Sequence, residues 1–214
     1  KKVFIDSKNK PLDSIDQRLI DLTYRRFIMN GAELDSIKKL KYADINNELS
    51  TLYTKFSNNI LSDEENYTTF LSENELSGLS ESFINTIKNE SIRLGKNDKF
   101  AISNTRSSMD PFLKFSENRN LRKQVWENYY SRADNNDEYD NKSIIEKILK
   151  LRKERVNILG YDYYPECRLQ DRMAKSPENA LKLLLDIWPS SIKTVEKEVN
   201  EMQKIADTDN VIIE

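Results

Sequence analysis

Histidine, the side chain that enzymes use most often for proton transfer and zinc binding, occurs at none of the 214 positions of this chain. Its absence removes the Ser-His-Asp and Cys-His arrangements that activate a nucleophile. It also removes the two-histidine zinc helix H-E-x-x-H and the Glu-x-x-His di-iron site of helical bundles. We therefore predict that the chain holds no catalytic, cofactor-binding or metal-ligating residue and is inactive by itself.

The remaining reactive side chains support little chemistry. Cys167 is the single cysteine, so neither an intramolecular disulfide nor a thiolate metal cluster can form. Without a histidine partner, its thiol is predicted to be a half-buried packing residue rather than a nucleophile. A glycosidase-like pair of carboxylates stays formally open, but 36 acidic residues on charged helical faces single out no pair.

Two further groups of residues are candidates for binding. Six aromatic residues could line a peptide or ligand groove, although packing between two adjacent helices is the favoured interpretation; they are Trp126, Tyr129, Tyr130, Tyr161, Tyr163 and Tyr164. Residues 106–111 form a predicted polar loop before the apolar Phe112-Leu113. That loop either contacts a partner domain or is a simple turn.

Composition excludes several classes of partner. The chain has 34 basic and 36 acidic residues, a net charge of −2, and the two signs are interleaved. A nucleic-acid binder would show a basic excess, so we predict no nucleic-acid partner. No apolar run approaches the ~20 residues that span a bilayer, and Lys1 to Asp6 turn polar too early for a signal peptide. The single cysteine fits the reducing cytoplasm, with the periplasm as the alternative.

The elements that carry these residues are predicted to be helices. Only four glycines occur, at positions 31, 78, 95 and 160, which leaves little material for β-turns and excludes a glycine-rich phosphate loop. Each glycine follows a stretch with helical spacing, where a helix is expected to stop. The predicted fold class is all-α: a multi-helix array of long antiparallel amphipathic helices, with room for one small β-hairpin.

Apolar spacing and capping residues predict where the helices lie. The predicted helices cover residues 12–29, 35–61, 80–94, 116–132, 140–159, 165–174 and a last one from Ser176-Pro177 onward. Pro189 should kink or split this last helix. Residues 67–71 and 100–102 are candidates for a hairpin or for paired extended segments.

The clearest amphipathic stripe lies on the second predicted helix. Its apolar residues recur every three or four positions, and they are Ile45, Leu49, Leu52, Phe56 and Ile60. Such a stripe is far more often a core-forming seam than a ligand-binding face. A similar stripe marks the last helix, at Leu184, Trp188, Ile192, Val195, Val199 and Met202.

Several stretches, in one order along nearly the whole chain, resemble a known family. They are R-F-I-M-N-G-A-E-L at 26–34, I-N-N-E-L at 45–49, F-S-N-N-I-L at 56–61, T-R-S-S-M-D-P-F-L at 105–113, N-R-N-L-R at 118–122, D-N-K-S-I-I at 140–145, L-G-Y at 159–161 and R-M-A-K-S-P-E at 172–178. Together they resemble the N-terminal helical region of the thimet oligopeptidase family of zinc metallopeptidases, most closely its bacterial peptidyl-dipeptidase branch.

The resemblance implies a specific function. Members of this family are helical proteins whose deep channel admits only short peptides, and their zinc lies on a C-terminal H-E-x-x-H helix. The resemblance therefore implies that residues 1–214 are a helical substrate-channel region of a larger peptidase. Zinc and the C-terminal catalytic region would belong to the parent enzyme, and short peptides would be its substrates. No catalytic or metal residue is carried over to this chain.

A second hypothesis stays open. The chain could be a stand-alone helical module that binds a peptide or a protein and has no enzymatic activity. The fragment hypothesis predicts an uncovered apolar interface and self-association, whereas the module hypothesis predicts a well-behaved monomer. The apolar tail at Val211-Ile212-Ile213-Glu214 favours the fragment.

Overall fold

The computed structural model describes residues 1–9 and 12–213, and it has the predicted all-α class with one short pair of strands. The chain divides into two compact units. Unit 1 comprises Lys1–Lys39 and Arg152–Glu214, and unit 2 comprises Leu40–Leu151. Glu214, at the end of the predicted apolar tail, lies outside the described residues.

The elements follow one another with short connections. In chain order they are α1 (Lys2–Ser7), α2 (Ser14–Met29), α3 (Ser36–Asn66), β1 (Thr69–Leu71), α4 (Glu81–Arg93), β2 (Phe100–Ile102), α5 (Arg106–Phe115), α6 (Arg119–Tyr130), α7 (Lys142–Ile158), α8 (Tyr164–Leu169) and α9 (Pro177–Ala206). The helices predicted over 12–29, 35–61, 80–94 and 140–159 are confirmed as α2, α3, α4 and α7, with ends that differ by up to five residues.

Local capping explains where these helices begin. The Asp13 carboxylate accepts hydrogen bonds from the amides of Ile15 and Asp16 at the start of α2. The Ser80 hydroxyl accepts from the amide of Phe83 at the start of α4, 3.3 Å away. Such side-chain acceptors satisfy amides that lack a partner in the first helical turn. The start at Ser80 agrees with the predicted helix, whereas the helix predicted from residue 12 begins only after Asp13.

The two strands confirm the predicted pairing of extended segments. β1 and β2 are antiparallel, with Phe70 opposite Ala101. They are separated in sequence by α4, so they form a long-range pair rather than a hairpin with a tight turn. Leu71 and Ile102 point into the core from this pair, and both are almost fully buried.

The region around residue 116 departs from the prediction. Residues 106–111 are not a loop, because they form the first part of α5, where the Arg106 guanidinium donates to Asp110 at 3.0 Å. Ser116 ends this helix instead of capping the next one. The cap of α6 is Asn118, whose side chain accepts from the amide of Leu121 at 3.2 Å. Pro111 made the segment look like a turn, yet a helix loses only one hydrogen bond at such a proline.

Pro189 does not split the last helix, contrary to one of the two predicted outcomes. α9 runs without interruption from Pro177 to Ala206. The hydroxyls of Ser190 and Ser191 both donate to the carbonyl of Ile187, at 2.8 and 3.1 Å. These bonds do not replace the one that Pro189 lacks, because an N–H at position 189 would donate to the carbonyl of Leu185, so the helix continues with that one bond missing.

Two shorter elements were also predicted inaccurately. The helix predicted over 165–174 is the six-residue α8. α1 was not predicted at all, since its six residues are too few to show helical periodicity.

The hydrophobic core lies in unit 2. Its buried residues come from both strands and from three helices, and they are Leu71, Ile87, Ile102, Met109, Phe112 and Val125. Ile45 and Leu49 of the predicted stripe on α3 are buried as well, as are Ile144 and Ile148 on α7. The predicted core-forming role of the stripe is therefore confirmed for Ile45 and Leu49.

Unit 1 buries much less of its apolar surface. Neither α2 nor α9 contains a single buried residue among those described. Val156 and Cys167 are the largest buried side chains that the described part of unit 1 contributes.

Candidate functional site

The most extensive exposed feature is the apolar face of α9. Eleven large apolar side chains of this helix are at least about one-third exposed: Leu181, Leu183, Leu184, Leu185, Ile187, Trp188, Ile192, Val195, Val199, Met202 and Ile205. At 1.5 Å per residue, the 30-residue helix is roughly 45 Å long. At about 100° per residue, eight of them share one side of the helix, and we call these eight the α9 apolar face: Leu181, Leu184, Leu185, Trp188, Ile192, Val195, Val199 and Met202. Contiguous apolar surface of this size marks an interaction site.

Charged pairs occupy other positions of the same helix. Lys182 and Asp186 lie 2.9 Å apart, and Lys197 and Glu201 lie 3.7 Å apart, each pair one helical turn apart in sequence. Such pairs are typical of a face that stays in water. α9 is thus an amphipathic helix whose polar side is solvated and whose apolar side has no cover within the described residues.

Unit 1 also has a smaller apolar cleft between α1 and α2. Its volume is about 400 Å³, and its lining includes Val3, Phe4, Leu19, Tyr24 and Phe27. The rings of Phe4 and Tyr24 are stacked with centroids 3.8 Å apart. The sequence did not indicate this cleft, because α1 was missed.

A buried polar network in unit 2 fixes the loop between α6 and α7. Asp63, on α3, is fully buried, and one carboxylate oxygen accepts from the amide of Ala133 at 2.6 Å and from Asn135 at 2.8 Å. The other oxygen has no hydrogen-bond partner within the described residues. Nearby, Asn141 accepts from Asn59 at 2.9 Å and donates to the carbonyl of Phe56 at 3.0 Å. The pattern of apolar residues gave no signal for this network.

The six aromatic residues are divided between the two units. Trp126, Tyr129 and Tyr130 lie on α6 in unit 2, with ring centroids of neighbours 5.1 and 5.3 Å apart. Tyr161, Tyr163 and Tyr164 lie in unit 1. Trp126 is 49% exposed and Tyr130 is 64% exposed, so these two rings form a surface, whereas Tyr129 packs against the hydrophobic core.

A shallow cleft of about 390 Å³ adjoins this aromatic surface. Its lining combines Trp126 and Leu113 with Arg119, Arg122 and Lys123, and it contains no acidic residue. The guanidinium of Arg122 donates to the carbonyl of Ser116. Arginine beside an exposed indole suits a peptide that presents both a carboxylate and an apolar group.

Cys167 is buried, with 8% of its surface exposed, which agrees with a packing role and corrects the expectation that it is only half-buried. Burial raises the pKa of the Cys167 thiol, although the positive charges of Arg155, Arg25 and Arg168 act in the opposite direction. A raised pKa keeps the thiol protonated at neutral pH, and a protonated thiol is a poor nucleophile.

The donor groups of a zinc site are not assembled here. Among residues 1–9 and 12–213, no group of three or more histidine, cysteine or acidic side chains is placed to hold a metal ion. Nor does the described part of the chain contain a helix that is long and apolar enough to cross a membrane.

Comparison with known proteins identifies relatives of the chain. Residues 112–213 match the model of Peptidase family M3. Over 197 residues the chain is 27% identical to the dipeptidyl carboxypeptidase of Escherichia coli strain K12, covering 92% of this chain and 29% of the relative. It is 30% identical to the chloroplastic and mitochondrial organellar oligopeptidase A of Arabidopsis thaliana, covering 94% of this chain and 27% of the relative.

A third relative gives the same result. The oligopeptidase A of Haemophilus influenzae is 31% identical over 193 residues, covering 87% of this chain and 28% of the relative. The resemblance to the thimet oligopeptidase family is therefore confirmed, and the chain is a relative of the peptidases of family M3. The chain spans less than a third of the length of these curated relatives.

Proposed function

We propose that this chain is a non-catalytic helical segment of a zinc-dependent oligopeptidase or peptidyl-dipeptidase that hydrolyses short peptides. The names of its relatives support the reaction class, since they are dipeptidyl carboxypeptidases and oligopeptidases. The share of each relative that the chain covers, 27 to 29%, supports its being one part of a longer protein. In this proposal, residues 1–214 together are the helical substrate-channel region of that longer protein.

The single observation that carries the proposal is the α9 apolar face. A helix of 30 residues with none of them buried is not stabilised by its own unit, because helical stability in proteins comes mainly from packing of the apolar face. The occupant that we assign to this face is the remaining part of the longer peptidase. When that part is absent, the face is free to pair with a second copy of the chain.

Zinc chemistry belongs to the remaining part in this proposal, because the chain has no histidine. In zinc peptidases the bound metal lowers the pKa of its water and polarises the peptide carbonyl. The contribution of this chain is to form one wall of the substrate channel. The exposed Trp126 and the adjoining cleft lined by Arg119, Arg122 and Lys123 support that role, since they offer both apolar and anion-binding contacts to a short peptide.

We place the longer protein in the cytoplasm, with the periplasm as the alternative. The single, buried Cys167 is compatible with either compartment, because neither requires a disulfide in this segment.

An antibody raised against the chain tests the proposal in cells of its source. The expected antigen is a polypeptide of roughly three to four times 25.2 kDa, as the coverage of the relatives indicates. Material captured by the antibody should cleave short peptides, and a zinc chelator should abolish this cleavage. An antigen of the size of the chain, captured without chelator-sensitive peptidase activity, would refute the proposal.

The second candidate function is a stand-alone helical module that binds a peptide or a protein. The apolar cleft between α1 and α2 favours it, because that cleft lies within a single unit and needs no further domain. Zinc analysis of the purified chain tests whether the chain is instead an active zinc peptidase by itself, which neither candidate predicts. Stoichiometric, tightly bound zinc with peptide cleavage would contradict both.

A further inference from the structure

Unit 1 contains a second cleft whose lining is charged rather than apolar. Its volume is about 470 Å³, within the range of small-molecule sites. Four cationic and two acidic side chains line it, which leaves a net positive charge; the full lining is Arg18, Asp21, Leu22, Arg25, Gln170, Asp171, Arg172 and Lys175. We call it the cationic cleft.

One wall of the cationic cleft is a single face of α2. Arg18, Leu22 and Arg25 are spaced four and three residues apart, so their side chains project from the same side of the helix. Arg26, the neighbour of Arg25, does not line the cleft. The helical period thus selects two of the arginines of α2 for this site.

The opposite wall comes from the connection between α8 and α9. Lys175 has a left-handed backbone, with φ of +62°, and its amide donates to the carbonyl of Arg172 at 3.1 Å. This turn holds Arg172 and Lys175 three residues apart in a tight bend. Both cations therefore line the same cleft from one short segment.

The acidic side chains of the lining are already engaged. Asp21 accepts from Lys8 at 3.1 Å and from Gln17 at 2.9 Å, and the hydrogen bond from Lys8 lowers the pKa of Asp21. Asp171 lies 3.6 Å from the guanidinium of Arg172. Within the described residues, Arg25 and Lys175 form no ion pair. Positive charge in the cleft is therefore available for a ligand.

We infer that the cationic cleft binds a small oxyanion, a carboxylate or a phosphate, between the guanidinium groups of Arg18 and Arg25. Planar guanidinium groups match both oxyanions with two parallel hydrogen bonds. A cleft of one charge sign also concentrates ligands of the opposite sign. The exposed Leu22 gives the body of the ligand an apolar contact. This inference concerns unit 1 alone and stands whether or not the proposed peptidase function is correct.

Isothermal titration of the full chain at low salt tests the inference. The probes are inorganic phosphate and N-acetylated trialanine with either a free or an amidated C-terminus. Saturable binding of phosphate or of the free-acid peptide supports the inference and identifies the source of the oxyanion. No binding of either probe, or equal binding of the free-acid and amidated peptides without phosphate binding, would overturn it.

Substitutions locate the site. The double variant Arg18→Gln with Arg25→Gln should weaken binding of the effective probe about tenfold or more, because each charge-assisted hydrogen bond contributes strongly. Arg26→Gln removes the same charge from the same helix outside the cleft and should leave the affinity unchanged. If both variants weaken binding equally, the inference fails.

Folding of the variants needs a separate measurement, since Arg25 is half-buried. The single Arg18→Gln variant changes an exposed residue and is expected to keep the melting temperature of the unsubstituted chain. Its affinity should fall several-fold. Unchanged affinity in this folded variant would overturn the role of Arg18.

Discussion

The helices α3 and α9 have nearly equal lengths, 31 and 30 residues, yet their surroundings differ completely. α3 buries Ile45 and Leu49 and also the polar Asn59 and Asp63. α9 has a longer series of apolar residues and buries none of them. The difference shows that an amphipathic pattern predicts a helix and its apolar side, but not whether the partner of that side belongs to the same chain.

The polar contacts of the two helices reinforce this contrast. α3 is joined to distant parts of unit 2 by buried hydrogen bonds, such as that between Asn59 and Asn141. The side-chain contacts of α9 at Lys182 and Lys197 are local, to residues four positions away. α3 is thus part of the core of unit 2, whereas the apolar side chains of α9 are exposed.

The largest expected difference comes from the same substitution in both helices. Leu49→Ala, at a position only 1% exposed, should reduce the free energy of unfolding by about 2 to 5 kcal/mol, because it leaves a cavity in the core. Leu184→Ala, at a position 64% exposed, should change it by no more than about 0.5 kcal/mol. Urea denaturation followed by circular dichroism measures both. Equal losses would break the comparison.

A glycine substitution tests how tightly unit 2 is packed. Gly78 has φ of +84°, and an added Cβ would lie 2.0 Å from the carbonyl oxygen of Phe115. Gly78→Ala should therefore destabilise the chain by about 2 to 4 kcal/mol through backbone strain and overlap. Gly95→Ala is the control, because its φ of +76° gives a similar strain in open space. A Gly95→Ala variant that is equally unstable would refute the steric part of this explanation.

Breaking the buried polar network around Asn141 should reduce the free energy of unfolding by a smaller amount. Asn141→Ala should cost about 1 to 3 kcal/mol of unfolding free energy, because Asn59 and the carbonyl of Phe56 both lose a hydrogen-bond partner in a buried place. Asn58→Ala, at an exposed position of α3, is the matched control and should be nearly neutral. Thermal melts at a fixed chain concentration compare the two variants. A neutral Asn141→Ala would mean that the network does not fix the loop.

The smallest expected effect is a dependence on pH. Hydrogen bonds from the hydroxyl and the amide of Ser72 lower the pKa of Glu75. A lowered pKa in the folded chain means that the unfolded chain binds the proton more tightly, so this stabilisation is lost as the pH falls through the folded pKa. Between about pH 7 and about pH 3, the urea midpoint should fall less in Glu75→Gln than in the unsubstituted chain. Glu73→Gln, at an exposed neighbour, should behave like the unsubstituted chain.

Sequence reasoning succeeded where the cause is local. Ser80 and Ser176 mark predicted helix starts, and each accepts a bond from an amide three residues away; the helix predicted from residue 12 instead begins after its cap Asp13. It failed at α5, because a proline such as Pro111 occurs both in turns and in helices. The packing around the segment decides between the two, and the sequence does not show that packing. Helix boundaries therefore depended on tertiary contacts there.

The candidate sites were harder to predict, since they arise between segments that are distant in sequence. The absence of histidine restricts the possible catalytic chemistry, and this inference needs no knowledge of the fold. The cationic cleft joins Arg18 to Lys175, and no periodicity links positions so far apart. The stripe on α9 was visible, but its exposure was not, because exposure is a property of what surrounds a helix.

Light scattering coupled to size-exclusion chromatography tests most directly whether the α9 apolar face is an interface. We predict that the purified chain associates as its concentration rises, and that Leu184→Gln combined with Trp188→Gln restores a monomer of about 25.2 kDa. Lys193→Gln, at another exposed position of α9, should associate like the unsubstituted chain. A chain that stays monomeric at every concentration, with α9 amides as protected from hydrogen exchange as those of α3, would contradict the account.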